Sequence, residues 1–246
     1  YHFAIKQEML NSNKNMLNQI VLYCDNHIAA NPTAIISDHF STLETPALSQ
    51  FFEEKSSSTR TYLQTQQFLG DLVQNNQYND SLLLYSAIND MTIDSKEGVT
   101  FGIQNNQSAM MIVAKQRSFS EKRKHFFVTP SENSNNIISY VQTLPTTDFT
   151  RDLGFISFQI DADKLVASAG EISQNTGSFA ILTSDYKLLA HSNKELQKTG
   201  NIGFDFHSEA PYGNMTVKIG QETNQVSWIR SPESGLIYVS TMPQTL

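Results

Sequence analysis

Apolar residues recur at Ile5, Met9, Met16, Ile20, Cys24 and Ile28, with Leu17 and Val21 widening the stripe. Steps of four or seven residues keep such positions on one side of a helix. The spacing therefore predicts one long helix over residues 1–31, which the Asn31-Pro32 pair should end, because a residue before proline avoids the helical region. About 28 residues at 1.5 Å each make a rod of about 40 Å, long enough to act as a stalk. Next, "TPALSQFFEEK" (45–55) offers a threonine cap and a proline at the first helical position, so a short helix is expected. After a serine run, "TRTYLQTQQFLGDLVQNN" places Tyr62, Phe68, Leu69 and Leu72 on the apolar side of another.

Beyond residue 80 the period changes. "SLLLYSAINDMTID" (81–94) is an apolar run, a polar turn at Asn89-Asp90 and a second strand, which is a hairpin. Within 96–125, "GVTFG" and "AMMIVAK" fit strands or a turn of helix. "KHFFVTP", "NIISYVQTLP" and "DLGFISFQI" read as strands and "DADKLVASAGEI" (161–172) as an Asp-capped helix. "GSFAILTSDYKLLAHSN" is again strand, turn, strand. "MTVKIG" and the hairpin "VSWIRSPESGLIYVSTMP" close the chain.

The phrases repeat. Ser81-Leu-Leu-Leu-Tyr corresponds to Ser178-Phe-Ala-Ile-Leu, and Ser139-Tyr140-Val141…Gly154 to Ser227-Trp228-Ile229…Gly235, at nearly the same separation. Each copy runs helix, β-hairpin, variable middle, β-hairpin, an antiparallel sheet flanked by helices, so the fold class expected is α+β. The boundaries drawn are a stalk helix over 1–32, a first module over 33–160 and a second over 161–246. The first copy carries the longer insertion, 96–135 against 193–213. Long inserts in a repeated scaffold are where binding surfaces grow, so a ligand is expected there.

Length and composition agree with this division. A chain of 246 residues with 39% hydrophobic and 17% charged positions suits two modest folded domains. Seventeen basic against 24 acidic groups, net −7, supply no broad cationic surface for phosphate backbones, which excludes nucleic acid as a direct partner. Cys24, the single cysteine, excludes an internal disulfide and reads as a small buried residue on a helix. No stretch approaches the roughly 18 apolar residues of a membrane span, and no cleavable signal heads the chain. Both ends nevertheless look truncated, starting without Met and stopping just after an apolar strand, as if flanking segments had been removed.

Candidate chemistry is sparse. Lys115, Arg117, Lys122, Arg123 and Lys124 form a basic cluster in an acidic protein. Arg117 stands beside apolar residues and could grip the carboxylate of an anionic ligand in two places, against the plainer reading of a solvated loop. Tyr85, Phe101, Phe126 and Tyr140 are candidate pocket aromatics, against plain core. Tyr140 and Gln142 share one side of their strand, Val141 and Thr143 the other, and the first pair is assigned to the ligand. Trp228, in the position of Tyr140, is expected to fill the second module's core. Ser184 and Lys187 have the Ser-x-x-Lys spacing of some acyl-transfer enzymes but lie in a hairpin turn, where that chemistry needs a helix start. The six histidines show no metal-ligand spacing, and nothing calls for a cofactor.

The long helix together with "SLLLYSAINDMTIDS", "NIISYVQTLPTTDFTRDLGFISFQIDADKL" and "GLIYVSTMP" resembles the double Cache sensor domains of bacterial membrane receptors, most of all ectodomains of AraC-type regulators and sensor histidine kinases. The resemblance spans essentially the whole chain. It implies two stacked PAS-like modules, the first membrane-distal and holding a small ligand, a membrane span on either side, a homodimer in the full receptor and no covalent chemistry. Amino-acid-binding members carry an arginine followed by Trp-Tyr, then a tyrosine and an aspartate on successive strands. Here Arg117 and Tyr140 are present but "RSFSEKRKHFF" has no Trp-Tyr, which leaves the ligand class open. A second reading is an ectodomain that binds a partner protein without a small-molecule pocket of its own.

Overall fold

The computed structural model describes residues 1–43, 45–55, 58–130, 136–148, 150–172 and 177–244. The end of the 96–135 insertion and Phe149 of the Leu-Pro phrase lie outside the described residues. The chain forms two compact units, residues 27–161 and residues 1–26 joined with 162–246.

The long helix runs further than its sequence suggests. α1 (His2–Asp25) passes through a single π turn (Asn26–Ala30) into α2 (Asn31–His39). Pro32 does not end the rod; it sits in the first turn of α2, where a missing N–H costs little. The π turn just before it lodges an extra residue and absorbs the backbone mismatch a mid-helix proline brings. The apolar stripe is buried from Leu17 onward, whereas Phe3 is 82% and Met9 48% exposed.

In the unit of residues 27–161, Thr45 caps α3 (Pro46–Glu53) by accepting from the Leu48 N–H, and Ser58 caps α4 (Thr59–Val73) by accepting from Thr61. There follow β1 (Asn79–Ser86), β2 (Met91–Asp94), β3 (Gly98–Phe101), a 3₁₀ turn, α5 (Gln107–Arg117), β4 (His125–Val128), β5 (Ile137–Leu144) and β6 (Gly154–Asp161). "AMMIVAK" is thus helix, capped by the Asn106 side chain on the Ala109 N–H. The six strands lie in the order β3-β2-β1-β6-β5-β4, every neighbouring pair antiparallel.

The other unit adds α6 (Ala162–Ile172), β7 (Ser178–Leu182), β8 (Leu188–His191), α7 (Lys194–Thr199), β9 (Tyr212–Ile219), β10 (Glu222–Arg230) and β11 (Ile237–Pro243). Its order, β8-β7-β11-β10-β9, repeats β2-β1-β6-β5-β4 of the first sheet, which also carries β3. The repeated phrases are a repeated architecture, and Ser184-Asp-Tyr-Lys187 is the β7–β8 turn.

In each sheet one side is committed to helices. Tyr140 of β5 shares a hydrogen bond of 3.0 Å with Thr33 of α2, and Ser86 of β1 donates to the Phe51 carbonyl of α3. Leu48, Phe51, Phe52, Leu82, Leu84 and Phe158 are fully buried, each side chain contributing about 1.5–3 kcal/mol. In the second sheet Tyr238 of β11 donates to Asp25 at the end of α1 (2.8 Å), and Ser231 donates to the same carboxylate (2.9 Å). Burial raises the Asp25 carboxyl above its ordinary value despite those two bonds. Neighbouring Cys24 is wholly buried, its thiol pushed up to about 12 by burial and by Asp25.

Trp228 does not take the place of Tyr140. Tyr238 faces α1 and pairs with Ile229, so Trp228, one residue away, faces the opposite side, among Ile202, Phe206 and Val239. It fills that core by lying against Gly213, where a Cβ would come within 2.4 Å of the indole.

Gly154 opens β6 at φ +129°, and a Cβ there would meet the Tyr85 carbonyl oxygen at 1.8 Å. Gly70, inside α4, has nothing within 4 Å of its missing Cβ. Gly154→Ala is expected to destabilise the protein by more than about 1–3 kcal/mol through strain and clash, while Gly70→Ala stabilises it by about 0.5–1 kcal/mol. Urea unfolding midpoints compared at unchanged slope would check both.

Candidate functional site

The side of the six-stranded sheet turned away from α2 and α3 is lined at one end by polar residues. Alternation along β1, β5 and β6 brings Ser81, Ser139, Ser157 and Gln159 to it. Ser139 donates to Gln159 Oε1 (2.6 Å), and Gln159 Nε2 donates to Ser157 Oγ (2.9 Å). Above this floor is a half-open cavity of about 260 Å³, walled by Gln107, Ser108 and Met111 of α5, by Val128 at the end of β4 with Thr129 and Pro130 after it, and by Asp80, Asp94, Lys96 and Glu97. That is slightly below the roughly 300–1,000 Å³ of drug-sized pockets, a size for a small metabolite.

The turn after β2 supplies the charges. Asp94 Oδ1 accepts the N–H groups of Lys96 (2.7 Å) and Glu97 (3.0 Å), an arrangement by which a short acidic side chain closes its own turn. Lys96 Nζ lies 3.4 Å from Asp80. Burial raises the Asp94 carboxyl above its ordinary range; the two N–H bonds lower it, and Glu97 and Asp80 raise it again. Among the described residues no cluster of His, Cys, Asp or Glu is arranged to hold a metal ion.

None of the six residues singled out from the sequence lines this cavity. Tyr85 and Phe126 do meet on the same side of the sheet, but within an apolar cluster of Leu83, Ala109, Ile112, Val141 and Phe155 that fills the other end. Arg117, at the end of α5, is exposed, and the Tyr85 hydroxyl is bonded to Asp90 at 3.3 Å. Phe101 is 65% exposed. Tyr140 and Gln142 do share a side of β5, but it is the side bearing α2; the Gln142 amide donates to the carbonyls of Lys124 and Thr143. The basic cluster is exposed, with the Arg123 guanidinium 4.3 Å above the Phe119 ring. The residues that sequence reasoning passed over are Ser81, Asp94, Ser139 and Gln159. Their signal is polar residues at alternate positions of strands that are otherwise apolar.

No family model matches the chain, and no curated protein does. Solved structures match over almost its full length. The sensory domain of the Campylobacter jejuni chemoreceptor Tlp3 with isoleucine bound is 12% identical, covering 98% of this chain and 95% of that one at a TM-score of 0.63. The ligand-binding domain of the Pseudomonas fluorescens chemoreceptor CtaA in complex with L-isoleucine is 12% identical over 98% and 94%, at 0.62. The extracellular domain of rpHK1S-Z16, described as a histidine kinase, is 14% identical over 96% of each chain, also at 0.62. The fold is that of double Cache sensory domains, the class of receptor ectodomain that its repeated phrases resemble.

Asp94→Asn keeps the acceptor for the two N–H groups and removes the charge. A raised folded value means that the carboxyl's contribution to stability is present below the unfolded value, about 3.9, and is lost as pH rises through the folded one. Wild type is therefore expected to lose stability relative to Asp94→Asn as pH climbs from about 3.5 into the neutral range. Unfolding midpoints of both proteins across that range would show it; a pH-independent difference would contradict it.

Proposed function

We propose that this chain is the extracytoplasmic ligand-sensing domain of a membrane-anchored bacterial regulator, an AraC-type transcription factor or a histidine kinase, with residues 27–161 as the membrane-distal module. One observation carries the reading: a small polar cavity between α5 and the six-stranded sheet, in a fold shared with chemoreceptor domains that bind isoleucine. Membrane spans would lie on either side of the chain, and the receptor would work as a homodimer, its bare Phe3, Ile5 and Met9 stripe covered by the same stripe of a second copy. The ligand acts by binding one of two conformations more tightly, since equal affinity for both shifts nothing.

A partner-protein reading has its own support in the exposure of Phe101 and of Met110 (48%) on the same unit, and in a cavity without aromatic walls among the described residues. One experiment separates the two. Thermal unfolding is followed with amino acids, carboxylates, amines, sugars and nucleobases, in wild type and in Ser108→Trp, which plugs the cavity from an exposed position on α5. A ligand at about 100 times its Kd is expected to stabilise wild type by about 2.7 kcal/mol. The plugged variant should keep its own midpoint and lose that response. Arg117→Ala, outside the cavity, should respond as wild type does. A full panel without effect would favour the partner protein.

A further inference from the structure

We infer, resting on the reading of this cavity as the sensor site, that its ligand is a small organic cation, an amine without a carboxylate, received by Asp94 and Ser81. Among the described residues the cavity is lined by three carboxylates, Asp80, Asp94 and Glu97, and by one ammonium, Lys96, already set against Asp80 at 3.4 Å. Neither arginine nor histidine lines it among the described residues.

Its carboxylate acceptors are open, and part of its donor capacity is already used within the floor. Asp94 is 9% exposed; one carboxylate oxygen takes both turn N–H groups, and the other has no hydrogen-bond partner among the described residues. Ser81 is 5% exposed, lines the cavity, and its hydroxyl likewise has no partner there. Both oxygens open onto the cavity instead of being sealed in the core, side by side with the carboxylates of its wall, and so are placed to receive a ligand's donors. The floor's own bonds run mostly among its members. Ser139 gives its proton to Gln159, and one N–H of the Gln159 amide goes to Ser157, so the Ser81 hydroxyl and the second amide N–H are the donors left beside the open carboxylate oxygen.

An ammonium carries up to three donors and no acceptor, which fits this set. A carboxylate carries acceptors only and would face the Asp94 charge with only Lys96, already set against Asp80, to offset it. An α-amino acid would satisfy Asp94 with one end and leave the other unmet. A bound cation would also offset the burial cost that raises the Asp94 carboxyl.

The test is calorimetric titration of the 246-residue chain with amines and their uncharged or anionic counterparts. The probes are 1,4-diaminobutane against 1,4-butanediol, ethanolamine against ethylene glycol, and glycine, acetate, CaCl₂ and MgCl₂. The amines are expected to bind at least about 10-fold more tightly than the diols. Asp94→Asn should weaken amine binding roughly 10- to 100-fold. Glu97→Gln, at an exposed position, should weaken it a few-fold and reduce its dependence on salt.

Diols that bind as well as amines, tighter binding of glycine or acetate, a response to divalent ions alone, or amine binding indifferent to both substitutions would each overturn the inference. So would an absence of amine binding. If a neutral or anionic probe binds wild type and Ser108→Trp abolishes that, the cavity remains the sensor site and only its ligand class falls. Amine binding that survives Ser108→Trp would overturn both.

Discussion

A β-strand has only two sides, and in the six-stranded sheet one of them is committed to helices. Tyr140 sealed against Thr33, with Ser86 bonded to the Phe51 carbonyl, fixes which residues of β1, β5 and β6 go under α2 and α3. Everything at odd-numbered positions from Ser139 to Thr143 then goes to the other side. Because the side-chain period is two, a slip of one residue would exchange the two sets entirely. The polar ladder of Ser139, Gln159 and Ser157 is tolerable in a sheet interior because each member bonds the next, which removes most of the cost of taking it from water. The cavity exists where that ladder, rather than an aromatic ring, meets α5.

The second sheet is tied to the long helix by a different device. The Asp25 carboxylate receives two hydroxyl bonds, from β11 and from the turn before it, while burial works against its charge. Replacing such a group with an apolar one of similar shape need not lower stability, since the desolvation of a buried charge rivals what its bonds return. What the carboxylate supplies is position: it sets which residue of α1 lies over Tyr238, next to the π turn that begins at Asn26.

Much of the architecture is legible in the chain because its signals are local. Thr45 and Ser58 cap the helices they precede, the Asn89-Asp90 turn joins β1 to β2, and the recurrent Ser-led phrases become equivalent strands in two sheets. Pro32 misleads because its usual effect presumes a regular α-helix before it. The Met110-to-Val113 run misleads because a helix lying on a sheet buries little of itself; Ala109 and Ile112 are its buried positions, too few to show a period. The cavity is harder to read for a further reason. Alternation identifies Tyr140 with Gln142 and Ser139 with Val141, but which pair faces the helices is decided by contacts more than a hundred residues apart in sequence, such as Thr33 with Tyr140. The same ambiguity sets Trp228 one residue out of step with its supposed counterpart. Aromatic residues attract the eye as ligand contacts, yet here Tyr85, Phe126 and Phe155 make core, and serines and a turn aspartate shape the open space.

Trp228 is the chain's one indole, and it is held against Gly213 inside the five-stranded sheet's core. The molecule thus contains a single optical label, placed by the fold in the unit that does not hold the cavity. Light emitted from it reports the packing of that unit alone. A change in its emission when a compound enters the cavity would be a message received at a distance, readable without attaching any dye.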